Sequence, residues 1–231
     1  MSSTILHLET ATEVCSICLS DGETVLALVE SQEGYIHSAK ITLMIKSAMD
    51  QASINFSDLD AVSLSKGPGS YTSLRVGTSA AKAICYAWDI PLIAVDTLGS
   101  LALAAAKKEG LKAPACSIPL IDARRMEVYT AVFDANNTII EKTHAKIIES
   151  DAFHSLLTTD NKLLFCGSGL EKCKIILNHP QMIYSTVICT AQNLVIPALQ
   201  SFLNKDFADV AYFSPYYFKS PSITVSKKKI L

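Results

Sequence analysis

Two spacings of apolar residues alternate along the chain. Short runs rich in β-branched residues predict three strands over residues 4–10, 14–20 and 24–31, separated by turn-prone pairs such as Asp21-Gly22. A helical spacing follows over residues 38–53, where apolar side chains recur on one face. This pattern predicts an amphipathic helix that buries a single stripe. The residues of the stripe are Ile41, Met44, Ile45, Ala48, Met49 and Ala52.

The same order of elements occurs twice. Three strands, a helix, a strand and a helix make up each copy, which favours an α/β fold of two lobes with mixed sheets and helices on their faces. The lobes are placed at residues 1–110 and 111–231, with a ligand cleft expected between them. The first copy continues with a strand at 61–65, a helix at 72–88, a strand at 92–95 and a helix at 98–108. The second copy is predicted as strands at 116–122, 127–134 and 138–148, a helix at 150–158, a strand at 163–166 and helices at 170–177 and 191–203.

The predicted helix at 72–88 has small or apolar side chains almost all round. Arg75 and Lys82 are its only charged residues. A helix of this kind is covered on more than one side. Other parts of the same chain or a partner protein could provide the cover, and the pattern leaves both open.

The composition is that of a globular chain. Hydrophobic residues make up 49% and charged residues 18%, which excludes intrinsic disorder. Residues 1–110 carry 7 basic and 12 acidic side chains, and the whole chain has a formal net charge of −2. This charge does not indicate a stand-alone nucleic-acid binder, and the Lys227-Lys228-Lys229 run is expected to be a solvated tail. No run of 18 apolar residues and no basic leader region occur, so a cytoplasmic protein without a membrane contact is expected.

The seven cysteines do not predict a disulfide framework. Their number is odd, and a reducing compartment is expected. Cys15-x-x-Cys18 has the spacing of a redox or zinc half-site. However, residues three apart on a strand point to opposite faces, so these two are expected to be small buried side chains.

A Gly-Pro-Gly turn between the strand at 61–65 and the helix at 72–88 is the first candidate for chemistry. Ser70 or Thr72 could cap the helix, and free N–H groups at a helix start attract anions. A tight turn and an anion site both remain open here. The predicted anion or nucleotide residues are Gly67, Gly69, Ser70, Thr72 and Arg75 in this turn, and Gly167 and Gly169 in a similar junction after the strand at 163–166.

A third stretch, with Asp122, Arg124 and Arg125 at the end of a strand, lies near the expected meeting point of the lobes. A simple ion pair within a turn is the alternative to a role in the cleft. No metal site is expected, since His37 lacks a second histidine four residues later, where Ile41 stands. Glu9 could face the cleft, but a lone carboxylate is not an acid/base pair.

Six blocks of this sequence resemble the TsaB (YeaZ) family, an accessory subunit in the bacterial synthesis of threonylcarbamoyladenosine in tRNA. The resemblance is strong over residues 5–130 and thin after 170. GPGSYT followed by LR, and DARR followed by EVY, are its most specific parts. The blocks are ILHLETATEVCSICLSDG (5–22), HSAKITLMI (37–45), SKGPGSYTSLRVGTSAAKAI (65–84), DTLGSLA (96–102), IDARRMEVY (121–129) and FCGSG (165–169).

The resemblance implies a two-lobe fold similar to actin, Hsp70 and the sugar kinases, with ribonuclease H-like lobes. It also implies a catalytically silent paralogue of TsaD, whose helical metal pair is lost here at Ile41. Glu9-Thr10-Ala11 departs from the Asp-Thr/Ser-Ser/Thr that is usual in the first phosphate loop of the superfamily, and Ser73 replaces a usual Gly. Neither catalytic residues nor a cofactor are therefore expected, apart from weak nucleotide binding at a complex interface.

The implied function is that of a non-catalytic partner that binds TsaD, together with the ATPase TsaE, or forms a homodimer when alone. tRNA would be reached only through the complex. The alternative is an active enzyme, either an ATP-dependent phosphotransferase or a glycoprotease-like enzyme. Family members associate through the two helices matching 38–53 and 72–88. The interface residues that follow are Ile41, Met44, Ile45, Met49, Val76, Ala80, Ala83 and Ile84.

Overall fold

Two mixed sheets of five strands each organise the molecule. A computed structural model describes residues 3–31, 37–113, 115–158 and 161–219. The predicted Lys227-Lys228-Lys229 tail lies outside these residues. The first sheet contains β1 (Thr4–Glu9), β2 (Cys15–Asp21), β3 (Thr24–Ser31), β4 (Ala61–Ser65) and β5 (Leu92–Val95). The second contains β6 (Ala115–Asp122), β7 (Glu127–Asp134), β8 (Ile139–Ile147), β9 (Lys162–Cys166) and β10 (Met182–Tyr184).

Both sheets have the same topology. The strand order is β3-β2-β1-β4-β5 in the first sheet and β8-β7-β6-β9-β10 in the second. In each sheet the first three strands are antiparallel, and the fourth and fifth run parallel to the first. The predicted duplicated α/β fold is therefore confirmed at the level of strand order.

Within the described ranges, five α-helices cover these sheets. They are α1 (His37–Ala52), α2 (Tyr71–Trp88), α3 (Thr97–Glu109), α4 (Leu170–Lys174) and α5 (Val195–Leu203). The apolar stripe of α1 packs into the core of the first lobe with side chains of β1, β2 and β4, as its spacing requires. Asp96 caps α3 by accepting a hydrogen bond from the Gly99 N–H at 2.8 Å, and Gly110 ends the helix in the left-handed conformation.

Helix α3 joins the two lobes through an apolar core. Leu98, Leu101 and Ala105 are fully buried there against side chains of the second sheet, among them Phe133 and Cys166. The lobes therefore share buried surface.

The C-terminal part of the chain returns to the first lobe. A 3₁₀ turn at Ala191–Leu194 and α5 pack on β1, β4 and β5, where Leu194 and Ala198 are fully buried. The division at residue 110 separates the two sheets, but the 3₁₀ turn, α5 and residues 208–213 pack on the first one. The helix predicted at 191–203 is thus a 3₁₀ turn followed by α5, because Pro197 lacks an N–H and fits only the first turn of a helix.

The prediction of a helix at residues 150–158 is wrong. This stretch forms turns and a 3₁₀ segment at His154–Leu156. Phe153 adopts a left-handed φ of 70°, which interrupts a helix, and its buried ring packs 5.4 Å from that of Phe165. The helix predicted at 170–177 ends at Lys174, and β10 was not predicted.

One buried polar cluster lies within the first sheet. The ring of His7 contacts the Ser63 hydroxyl at 2.6 Å through Nδ1 and the Ser20 hydroxyl at 2.8 Å through Nε2. Burial lowers the pKa of His7 to about 3, so the ring is neutral in the folded protein.

Candidate functional site

The Gly-Pro-Gly loop lies directly against the turn that joins β1 and β2. The Ser70 N–H donates to the Ala11 carbonyl oxygen at 2.7 Å. A Cβ atom on Gly69 would be 2.3 Å from the same oxygen, so only glycine allows this approach. The Gly-Pro-Gly loop and the β1–β2 turn are therefore hydrogen-bonded to each other.

Packing also explains why residue 67 is a glycine. Its N–H donates to the Thr97 hydroxyl at 2.9 Å, and a Cβ atom here would be 2.7 Å from the Tyr216 carbonyl oxygen. Its φ of +103° is a second reason for glycine. The C-terminal part of the chain therefore covers this side of the loop.

The start of α2 carries the remaining predicted anion residues of this loop. Ser70 occupies the N-cap position, but its side chain makes no capping hydrogen bond and instead accepts one from the Ser73 hydroxyl at 3.0 Å. Thr72 is exposed, and the Arg75 guanidinium lies 4.9 Å from the centre of the Tyr71 ring. These residues are close together, but the anion site itself stays a prediction.

The glycines of the second junction are fixed by close packing as well. A Cβ atom on Gly167 would be 2.5 Å from the Leu120 carbonyl oxygen, and one on Gly169 would be 2.9 Å from Cγ1 of Val128. All four glycines predicted to approach an anion thus have a neighbour within the chain that excludes a side chain.

The turn between β6 and β7 is organised by a lysine that the sequence did not single out. Lys172 forms an ion pair with Asp122 and donates to the carbonyl oxygens of Arg125 at 2.8 Å and Glu127 at 2.6 Å. Arg124 and Arg125 are exposed and both have positive φ values, 70° and 52°. The sequence pointed to Arg124 or Arg125 as the partner of Asp122, but in the structure its ion-pair partner is Lys172 of α4.

Glu9 is the last residue of β1 and is 1% exposed. Burial raises the pKa of Glu9 to about 7, while hydrogen bonds from the Ala11 N–H, at 2.7 Å, and from the Ser65 hydroxyl act in the opposite direction. The carboxyl group is thus held inside the first lobe by its own turn.

The predicted interface residues divide into two groups. Ile41, Met44, Ile45 and Met49 are at most 7% exposed and belong to the core of the first lobe. These four are therefore corrected from interface to core, because the stripe of α1 faces its own sheet. The other four lie on α2: Val76, Ala80 and Ile84 are half-buried, and Ala83 is exposed.

Helix α2 is covered by its own chain on several sides, but none of the described residues covers one of its faces. It packs on the first sheet and on α1, and residues near the C-terminus hydrogen-bond to Lys82. The open face carries Ser79, Ala83 and Ala87 at intervals of four residues, next to Tyr86, which is 86% exposed. On the neighbouring helix α1, Leu43 is 67% exposed. We call these five residues the α2 face; of them, the sequence had indicated only Ala83.

Among the described residues, no group of three or more His, Cys, Asp or Glu side chains could hold a metal ion. Ile41, which replaces the second histidine of a helical metal pair, lies in the core. All seven cysteines are free and buried, as expected for Cys15 and Cys18. No helix in the described ranges is long and apolar enough to span a membrane.

Comparison with known proteins gives a consistent result. Residues 33–215 match the family model described as TsaD, tRNA N6-adenosine threonylcarbamoyltransferase. The chain is 29% identical to the tRNA threonylcarbamoyladenosine biosynthesis protein TsaB of Bacillus subtilis and 25% identical to that of Escherichia coli, over 94% of both chains in each case. The structure of YeaZ from Pseudomonas aeruginosa superimposes with a TM-score of 0.78 at 22% identity, covering 93% of this chain and 99% of that one. The comparison with YeaZ shows that the two chains have the same fold.

Proposed function

Since the chain belongs to the TsaD family and, within it, to the TsaB (YeaZ) type, we propose that it acts in the synthesis of threonylcarbamoyladenosine in tRNA as a non-catalytic subunit. In this role it binds a TsaD-type transferase through the α2 face. The complex also includes the ATPase TsaE, and tRNA is reached through the complex.

The observation that carries this proposal is the α2 face. Ser79, Ala83 and Ala87 form a row of small side chains along the i, i+4 direction, which allows another helix to approach closely. Tyr86 on the same helix and Leu43 on the neighbouring helix α1 are large apolar side chains that are mostly exposed, at 86% and 67%. A helix from a TsaD-type protein, or from a second copy of this chain, fits such a face.

The state of Glu9 supports a non-catalytic role. It stands at the position of the first phosphate loop, but its carboxyl group is buried and accepts hydrogen bonds from its own turn. The Gly69 and Ala11 backbones are in close contact, which leaves no room for a ligand between these two turns. Nucleotide, if it binds the assembled complex, is then held mainly by other subunits.

The test is complex formation with a charged residue in the α2 face. Ala83→Glu keeps helix propensity nearly unchanged but would bury an unpaired carboxylate in the interface. Size-exclusion chromatography with light scattering, with a TsaD-type protein from the same organism, should show at least tenfold weaker association than for the unmodified chain. Ala113→Glu, at an exposed position between α3 and β6, is the matched control. Ile41→Glu is unsuitable because it would disrupt the core.

Two results would contradict the proposal. If Ala83→Glu forms the complex as tightly as the unmodified chain, the α2 face is not the interface. If the purified chain alone hydrolyses ATP at a rate well above a blank, and this rate persists in highly purified fractions, the subunit is not silent. The same chromatography of the chain alone reports whether it forms a homodimer, which Ala83→Glu should dissociate.

A further inference from the structure

Residues 206–219 run along the outside of the molecule from one lobe to the other. We call this segment the C-terminal strap. It follows α5 on the first lobe, passes along α2 and the Gly-Pro-Gly loop, and ends beside β7 of the second lobe. It forms no helix and no strand, apart from the single β-bridge between Ala208 and Leu92.

The first half of the strap is anchored in the core of the first lobe. Ala208 donates its N–H at 2.8 Å to the carbonyl oxygen of Leu92, the first residue of the edge strand β5. The Lys82 ammonium group donates to the carbonyl oxygens of Ala211 at 2.9 Å and Phe213 at 3.2 Å. The side chains of Ala208, Val210 and Phe213 pack against the first core.

The second half of the strap, residues 214–219, makes contacts with both lobes. The Tyr216 N–H donates to the Lys66 carbonyl oxygen at 2.7 Å. The Tyr217 ring lies 4.5 Å from that of Tyr71 on α2. On the side of the second lobe, the partners lie on β7: the Phe218 ring is 5.7 Å from the Tyr129 ring, and Lys219 forms an ion pair with Glu127. This half therefore links the Gly-Pro-Gly loop of one lobe to β7 of the other.

These contacts are numerous but shallow. Within residues 214–219 only Pro215 is buried, and none of these residues belongs to a hydrophobic core. Segments held by few buried apolar contacts open locally, at a lower free energy than the whole fold. The first half has core contacts that the second half lacks, so the boundary between a fixed and a releasable part falls near Pro215.

We infer that the second half of the strap is a clasp that opens and closes while both lobes stay folded. Closed, it covers Gly67 and ties the lobes together at a second place besides α3. Open, it uncovers the Gly-Pro-Gly loop, the first turn of α2 and Tyr129. Gly67 is the residue that lets the clasp close, because any side chain there would meet the Tyr216 carbonyl oxygen. The inference does not depend on the identity of the partner that binds the α2 face.

Amide hydrogen exchange of the full chain tests the clasp. In the unmodified protein, the Tyr216 amide should exchange slower than a free amide but at least tenfold faster than the central amides of β1. The double variant Tyr217→Ala/Phe218→Ala removes the aromatic contacts with both lobes and should speed exchange at Tyr216 at least tenfold further. Tyr212→Ala is the matched control, since this ring is 88% exposed and lies in the anchored half.

The rest of the fold provides an internal check. The central amides of β1 and β6 should keep their protection in the double variant. Lys219→Ala, which removes only the ion pair with Glu127, should give a smaller increase at Tyr216. The inference is overturned if the Tyr216 amide exchanges as slowly as β1, since the strap then opens only on global unfolding. It is equally overturned if that amide is unprotected in the unmodified chain, or if Tyr212→Ala accelerates it as much as the double variant.

Discussion

Replacing Glu9 by glutamine should remove a loss of stability that the unmodified chain undergoes as the pH rises through neutral. The Glu9 carboxyl group is 1% exposed, and burial raises its pKa from 4.5 to about 7. Above pH 7 the folded protein must hold a buried charge that the unfolded chain exposes to water. In the Glu9→Gln variant, the side-chain amide oxygen would accept the same hydrogen bond from the Ala11 N–H without carrying that charge.

The magnitude follows from the pKa shift. A carboxyl group whose pKa is raised on folding binds its proton more tightly in the folded state. Its contribution to stability is present below pH 4.5 and is lost as the pH rises to 7. At about 1.4 kcal/mol per pKa unit, the full loss is about 3 kcal/mol. Between pH 5 and pH 8, the free energy of unfolding of Glu9→Gln should therefore rise relative to that of the unmodified chain by roughly 2–3 kcal/mol.

The assay is urea unfolding at pH 5, 6, 7 and 8, followed by circular dichroism. The difference between the two proteins is the useful quantity, because His7 acts in the opposite direction over part of this range. Burial lowers the pKa of His7 from 6.5 to about 3, so the stability it contributes is lost as the pH falls through that window. Both proteins contain His7, and its effect cancels.

Glu13→Gln, in the exposed part of the same turn, is the matched control. If the difference between Glu9→Gln and the unmodified chain is constant from pH 5 to pH 8, the burial argument for Glu9 is refuted.

The packing leads to three further predictions. Gly69→Ala should lower the free energy of unfolding by about 1–3 kcal/mol because its Cβ would overlap a backbone oxygen. The control in thermal denaturation is Gly99→Ala, whose Cβ has its nearest neighbour at 3.4 Å, and equal melting temperatures of the two variants would contradict the argument. His7→Ala should cost about 2–5 kcal/mol in urea unfolding, since it leaves a cavity and two buried hydroxyl groups without a partner, and a loss below about 1 kcal/mol would disprove this. The seven buried thiols should react with a disulfide reagent at pH 8 only after unfolding, and rapid modification of the native protein would show that they are accessible.

The apolar pattern predicted burial well, but it could not say which surface provides the burial. Met44 and Met49 have the spacing of a buried stripe, and the structure buries them. Whether such a stripe meets its own sheet or a partner depends on tertiary packing, so these residues were assigned to an interface by resemblance and proved to be core. The exposed face of α2 carries a weaker signal, because Ser79 and Ala87 are ordinary residues in any helix.

The glycines show a second limit of the sequence. Gly67 and Gly69 lie in a turn between a strand and a helix, as they would in an anion-binding loop. A glycine in a sequence is consistent with a close approach to its backbone, but it does not identify the atoms that approach. Here the approaching atoms belong to Tyr216 and Ala11, which are distant from the loop in sequence. No periodicity marks residues 206–219, so the strap could not be foreseen, and neither could the role of Lys172 in the β6–β7 turn.

The return of α5 to the first sheet has a consequence for synthesis on the ribosome. Ile5, Ala61 and Ile93 are fully buried in the finished protein under Leu194 and Ala198. The strands that carry them are complete at Val95, about 100 residues before α5 begins at Val195. At a translation rate of about 5–20 residues per second, one face of the nascent sheet remains uncovered for roughly 5–20 s. During that interval the first lobe exposes an uncovered apolar surface to other nascent chains and to chaperones, until Leu194 and Ala198 have been synthesised and cover it.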